Sequence, residues 1–280
     1  MIADQSEQFP TLEDSVDFDE GDASHERLRA RFKEMRDEVT KFLLPYRFAI
    51  DEITTKLNIL KEEFEELDVY NPIEHVSSRL KSPESILEKI ERRGLSDQPD
   101  ELREQITDIA GVRVVCSFIT DVYHVFELLT QQDDITVLQV KDYIAEPKAN
   151  GYRSLHVLLE LPVFLSSGSV STVVELQIRT IAMDFWASLE HKIYYKYDSE
   201  VPTEMLEGLK EAAESAGELD SRMEWLHIAI RGGDRDTRVR RSADAIQAVE
   251  RNRALRESAQ AQAEAEVRAA QTRVEQTRVE

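Results

Sequence analysis

The chain has 280 residues, 41% of them apolar, which suits one catalytic-sized domain with appendages rather than three domains. Its 56 acidic and 35 basic residues give a net charge of −21, which excludes a coat of nucleic acid or anionic lipid unless bases are gathered locally. A single cysteine, Cys116, excludes a disulfide framework and a Cys-rich zinc site and fits a reducing cytoplasm. With no leader-like N-terminus and no apolar run near the roughly 20 residues that span a bilayer, neither export nor a membrane partner is expected.

Residues 1–25 hold eight acids and no Lys or Arg, and read as a disordered acidic tail. From Glu26 to about Leu67, apolar residues recur at helical spacing (Leu28, Phe32, Met35, Val39, then Ile53, Leu57, Leu60), with Pro45 expected to kink or split the helix. Asn71-Pro72 marks a break. Ser82-Pro83 reads as an N-cap followed by proline at the first helical position, and Gly94 stops the helix so begun. A polar loop is expected from Ser96 to Glu101. Strand-like runs follow at 111–118, near 135–141, at 152–161 and at 172–179, with a short helix at 122–130. Helices at 181–195 and about 203–229 close the domain. The tail 231–280, rich in Ala, Gln, Arg and Glu and ending in a QTRVE repeat, favours helix but has little apolar stripe to bury. The core, 26–230, is thus mixed α/β (α+β), with helices flanking one sheet.

The strands alternate an apolar face with an unusual polar one. Val174, Leu176 and Ile178 oppose Glu175, Gln177 and Arg179; Tyr152, Ser154 and His156 oppose Arg153, Leu155 and Val157; Arg113 opposes Val112, Val114 and Cys116. If the polar faces align, Arg113, Tyr152, His156, Glu175 and Gln177 share one surface. In the helix after Ser82, Ser85, Lys89 and Arg92 lie on one side at i, i+4, i+7, with Ile86, Leu87 and Ile90 on the other, ready to pack. Arg79 and Lys81 precede that helix, so cations and a hydroxyl gather near an end that favours anions. Asp108 before one strand and Glu175 inside another are candidates to hold Mg²⁺ against nucleotide phosphates.

These runs resemble a known family. Arg79-x-Lys81…Ser85-Ile86-Leu87-Glu88-Lys89, Asp108-Ile109-Ala110-Gly111-Val112-Arg113, Asp142-Tyr143-Ile144-Ala145-Glu146-Pro147-Lys148, Gly151-Tyr152-Arg153-Ser154, Val174-Glu175-Leu176-Gln177-Ile178-Arg179-Thr180 and Asp184-Phe185-Trp186-Ala187 are similar, in order and spacing over about 40–225, to the RelA/SpoT-type alarmone synthetases. None of the six histidines is followed by Asp, so the hydrolase His-Asp pair of the long members is missing. The resemblance is to the small synthetases.

It implies a nucleotidyltransferase-like synthetase domain on a mostly five-stranded mixed sheet with helical extensions. The implied activity is transfer of pyrophosphate from ATP to the 3′-hydroxyl of GDP or GTP, giving AMP and (p)ppGpp, with Mg²⁺ as cofactor. By the same resemblance, Arg79 and Arg113 sandwich adenine, and Lys81, Ser85, Lys89 and Arg92 hold the ATP phosphates. Asp108 ligates Mg²⁺; Glu175 takes the acceptor proton and shares the metal. Tyr152 stacks on guanine, Lys141, Lys148 and His156 meet the acceptor phosphates, and Gln177 lies near the sugar. Asp184 can pair with guanine N1–H and the 2-amino group, which adenine cannot match. Phe185 and Trp186 are expected in the core. The resemblance also implies a homotetramer through the flanking helices. In tetrameric relatives, lysines of the helix before Ile73 line a product-binding cleft; Thr54 and Asn58 stand in that turn here, which argues against product activation. Two alternatives stay open: a relative making (p)ppApp or modifying the tRNA 3′ end, and a silent nucleotide-binding scaffold.

Overall fold

The computed structural model describes residues 23–67, 70–96, 98–195 and 202–231, and Gln247 beyond them. The chain divides after Phe42 into two units. The first, among its described residues, is the N-terminal part of helix α1 (Ala23–Glu66), whose Phe32, Met35 and Val39 are exposed rather than packed. Helix α1 thus begins three residues inside the segment read as a tail, and runs through Pro45 without splitting. The rest of that tail, and the QTRVE tail, lie outside the described residues.

The second unit, from Leu43, holds a five-stranded sheet and the helices around it. Its elements are β1 (Ile73–Leu80), α2 (Pro83–Arg93), α3 (Pro99–Gln105), β2 (Ala110–Cys116), α4 (Ile119–Thr130), β3 (Thr136–Asp142), β4 (Leu155–Leu165), β5 (Gly168–Thr180), α5 (Ile181–Tyr195) and α6 (Thr203–Arg231). The sheet order is β1-β2-β5-β4-β3. Only β2 and β5 run parallel; the other three pairings are antiparallel.

Period-two alternation builds the core. Val112 and Val114 of β2, Leu155, Val157 and Leu159 of β4, and Val174, Leu176 and Ile178 of β5 are all buried. Helix α4 packs on β2 and β5 through Val122, Val125, Phe126 and Leu129, and α5 packs on the same two strands and on α6. Each of these side chains contributes on the order of 1.5–3 kcal/mol by leaving water. Together they fix which face of the sheet is left for chemistry.

The start and stop signals of α2 behave as read. Ser82 Oγ accepts from Ser85 N at 3.3 Å, Pro83 opens the helix, and Gly94 closes it at φ +61°. Its apolar side differs from expectation: Ile86 is buried, Leu87 is 59% exposed, and Lys89 takes a buried position instead. Strand β1 was not apparent in the sequence because only Ile73 of its eight residues is fully buried. The loop expected at 96–101 overlaps α3, a seven-residue helix anchored by Leu102. The strand expected from Tyr152 starts at Leu155, and β4 and β5 run on as a hairpin to Leu165 and Gly168. Of the two aromatics assigned to the core, Trp186 is buried and Phe185 is 65% exposed, because their neighbouring helical positions point about 100° apart.

Candidate active site

Register lines the polar positions up in rows. Ser77, Arg113, Gln177, His156 and Lys141 are consecutive cross-strand partners over all five strands. One row along, Arg79 meets Gly111, Gly111 meets Glu175, and Glu175 meets Leu158. The bare Gly111 between Arg79 and Glu175 leaves space on the polar face. A cavity of about 470 Å³ opens there, lined by Ser77, Ser78, Arg79, Lys81, Asp108, Gly111, Val112, Arg113, Glu175 and Gln177. Its size suits a nucleotide-scale ligand.

Cations converge on the first carboxylate. Lys81 Nζ donates to Asp108 Oδ2 at 2.7 Å and Lys89 Nζ donates to Oδ1 at 2.6 Å. Burial pushes the Asp108 carboxyl up, but the hydrogen bonds and charges of the two lysines outweigh it and hold it below the usual carboxylate value. Capping therefore matters to chemistry: α2 starts where it does because of Ser82, and two turns of helix then carry Lys89 to Asp108.

The second carboxylate sits against a histidine. His156 Nδ1 lies 3.3 Å from Glu175 Oε1, and His156 Nε2 lies 2.6 Å from Tyr152 Oη. The hydrogen bond from His156 lowers the Glu175 carboxyl, opposed by burial and by the Asp108 charge, and the net direction is down. Arg113 Nη1 pairs with Asp184 Oδ1 at 3.2 Å, and Arg179 Nη1 reaches the same oxygen at 3.1 Å. Among the described residues, Arg113 Nε is buried with no hydrogen-bond partner, a donor held ready beside the cavity. Lys148 Nζ lies over the Tyr143 and Tyr152 rings at 4.6 and 4.8 Å.

Residues 78–200 match the family model described as a region found in RelA / SpoT proteins. GTP pyrophosphokinase YwaC of Bacillus subtilis is 52% identical over 181 residues, covering 65% of this chain and 86% of that protein. The chain belongs to the RelA/SpoT family. The solved structure of small alarmone synthetase 1 from Bacillus subtilis bound to its product pppGpp superposes with a TM-score of 0.65 at 39% identity, covering 70% of this chain and 99% of that one. The same synthetase bound to AMPCPP gives a TM-score of 0.60 at 35% identity, covering 70% and 99%.

The family region contains every candidate catalytic, nucleotide-binding and metal-binding residue named from the sequence, and the fold brings most of them together. Arg79, Lys81, Asp108, Arg113, Glu175 and Gln177 line the cavity, and Lys89, His156 and Asp184 join it through direct contacts. Tyr152 is one step further, through His156. Ser85 and Arg92 share the α2 side that carries Lys89 but do not line the cavity, and Arg92 is exposed. Lys141 stands exposed at the far end of the cross-strand row. The residue missed is Arg179, 4% exposed, which joins Tyr152, Gln177 and Asp184. Its polar-face position in β5 was the available signal.

Asp108 and Glu175 fit a hard divalent cation by donor chemistry. Both are carboxylates facing one cavity, and their mutual repulsion is felt at Glu175. Two such oxygens with ligand phosphates make an ordinary Mg²⁺ set. Among the described residues, no group of three or more His, Cys, Asp or Glu side chains forms an all-protein cage. No described helix is long and apolar enough to cross a membrane.

Proposed function

We propose that this chain is a GTP pyrophosphokinase: it transfers pyrophosphate from ATP to the 3′-hydroxyl of GDP or GTP, releasing AMP and (p)ppGpp. The observation that carries the reading is the cavity where Lys81, Lys89 and Arg113 face Asp108 and Glu175, inside the region shared with relatives of that name and with synthetases solved with pppGpp and with AMPCPP.

In this reading Arg79 and Arg113 hold the adenine between guanidinium planes. The phosphates lie along Lys81, Ser85, Lys89 and Arg92, which absorb charge as the α–β bridging bond of ATP breaks. Glu175 accepts the proton of the acceptor 3′-hydroxyl, and that oxygen bonds to the β-phosphorus as AMP departs. A hydrogen bond that lowers the Glu175 carboxyl keeps it ionised and able to take that proton at neutral pH. Tyr152 supports the guanine ring, Lys141 and Lys148 meet the acceptor phosphates with His156 the cross-strand partner of Lys141, and Gln177 meets the sugar. Mg²⁺ held by Asp108 and Glu175 neutralises phosphate charge when bound. The protein works in the cytoplasm as a homotetramer.

The test is direct. Purified protein is mixed with Mg²⁺, ATP and GDP, GTP, GMP or ADP in turn, and the products are resolved. AMP and a 3′-pyrophosphorylated guanine nucleotide are expected. Absence of AMP with every guanine nucleotide overturns the reading, and turnover with ADP alone makes the enzyme an adenine-acceptor relative.

A further inference from the structure

Arg179 is among the most deeply buried charges of the described chain, and its donors fan out over the acceptor side of the site. Nη2 donates to Tyr152 Oη at 2.6 Å and to Gln177 Oε1 at 2.9 Å, Nη1 donates to Asp184 Oδ1 at 3.1 Å, and Nε reaches Ser154 Oγ at 3.4 Å. A guanidinium has no acceptor and does not lose its proton, so the direction of each of these bonds is fixed. Asp184 supplies the counter-charge that such burial requires.

That direction propagates. Tyr152 Oη receives a hydrogen from Arg179, so its own hydrogen must go elsewhere, and His156 Nε2 stands 2.6 Å away. With Nε2 accepting, the neutral imidazole carries its hydrogen on Nδ1, which faces Glu175 Oε1 at 3.3 Å. The opposite neutral tautomer would turn the Nδ1 lone pair on the carboxylate and strand the tyrosine hydrogen. Tyr143, edge-on to the imidazole at 5.3 Å, holds the ring plane.

We infer that Arg179 is a positioning residue that anchors a one-way hydrogen-bond chain, Arg179 to Tyr152 to His156 to Glu175, fixing the Nδ1–H tautomer of His156 and the orientation of the Glu175 carboxylate. The inference rests on the function proposed above, in which Glu175 is the base. Tyr152 thereby acquires a second role, its ring supporting a base while its hydroxyl transmits orientation. Both ring nitrogens of His156 are also occupied by protein groups before any phosphate arrives.

The chain is cut at one atom by Tyr152→Phe, which keeps the ring, and at its anchor by Arg179→Lys, whose point charge cannot reproduce the fan. Two readouts are combined. The ¹⁵N shifts of His156 are recorded in the nucleotide-free full chain across a pH series, which separates the cation from the two neutral tautomers. Wild type shows Nδ1 protonated and Nε2 bare, and Tyr152→Phe moves the ring toward the Nε2–H form. In steady-state synthesis, Tyr152→Phe loses roughly tenfold in kcat while acceptor KM stays within about twofold, the pattern of a misplaced base rather than a lost binding contact. Arg179→Lys loses at least as much in kcat and also raises acceptor KM, because Gln177 and Asp184 are released with it. The double variant loses no more in kcat than Arg179→Lys alone, because both cut one chain. An Nε2–H imidazole in wild type, an unchanged tautomer in Tyr152→Phe, or a loss confined to KM overturns the inference. If Arg179→Lys fails to fold, Tyr152→Phe decides alone. A wild-type protein that forms no AMP overturns the proposed activity instead, while the tautomer measurement still judges the chain.

Discussion

Asp108 carries a lysine on each of its oxygens, so replacing it tests two roles at once. Asp108→Asn removes the counter-charge of Lys89, which is only 8% exposed. The expected stability loss is about 1–2 kcal/mol, below that of a fully enclosed pair because Asp108 keeps some contact with solvent. Synthesis falls by about a hundredfold or more if the carboxylate also holds the metal. Urea midpoints and AMP release check the two separately; full activity with lowered stability would leave Asp108 a counter-ion only. Asp184 is a sharper case, because Arg113 and Arg179 share its Oδ1. A carboxylate there matches the paired donors of guanine and repels adenine N1, so Asp184→Ala should cut the preference for GDP over ADP by roughly 10- to 100-fold. Competition between the two acceptors at fixed ATP measures it, and an unchanged ratio excludes Asp184 from base selection.

At the scale of elements, the turn before β4 delivers Tyr152, and one glycine makes it possible. Gly151 has φ +86°, its N–H bonds Lys148 O at 2.8 Å, and a Cβ there would lie 2.5 Å from the Cβ of Ala213 on α6. Gly151→Ala should therefore cost about 2–4 kcal/mol, from the left-handed conformation and the collision together. Adding Ala213→Gly should return only the steric part. Denaturant midpoints of the single and double variants check this, and a neutral Gly151→Ala would show that α6 yields. The sequence made this turn legible only as a motif, whereas the helix α2 and the inner strands were legible physically. Ser82, Pro83 and Gly94 are local signals, and Val174, Leu176 and Ile178 alternate because both neighbouring strands and a helix cover them. Strand β1 escaped because an edge strand needs no alternation: Ile73 alone is deeply buried, and Ser77, Ser78 and Arg79 serve the cavity. Leu87 and Phe185 misled for the opposite reason, being apolar residues on helix faces that the second unit leaves open. Arg179 was visible as a polar-face residue, but its value lies in contacts from three separate segments, which no local pattern encodes.

At the scale of the second unit, α6 is tied to the rest through two buried acids one turn apart. Glu224, 2% exposed, accepts from the Thr120 N–H at the start of α4 at 2.8 Å, and Asp220 Oδ2 accepts from Thr180 Oγ1 at 2.5 Å, where β5 passes into α5. Burial drives the Asp220 carboxyl upward, the Thr180 hydrogen bond and Arg153 oppose it, and Glu224 adds to it, leaving Asp220 at about 6. The folded value lies above the ordinary aspartate value of about 3.8, so between these limits the folded state binds more protons than the unfolded one. Stability from this group is therefore greatest below about pH 4, declines as pH rises through about 6, and remains lower above it. The gap of roughly two pKa units corresponds to about 3 kcal/mol. Asp220→Asn keeps an oxygen for Thr180 and offers an amide to Glu224, removing the buried charge without unseating α6. Compared with wild type, it should be about 1–2 kcal/mol more stable at neutral pH, and the difference should vanish near about pH 4. Urea unfolding of both proteins across that range gives the answer. A variant less stable than wild type at neutral pH, or a difference that ignores pH, would mean that Asp220 is held as a charge and that α6 depends on it.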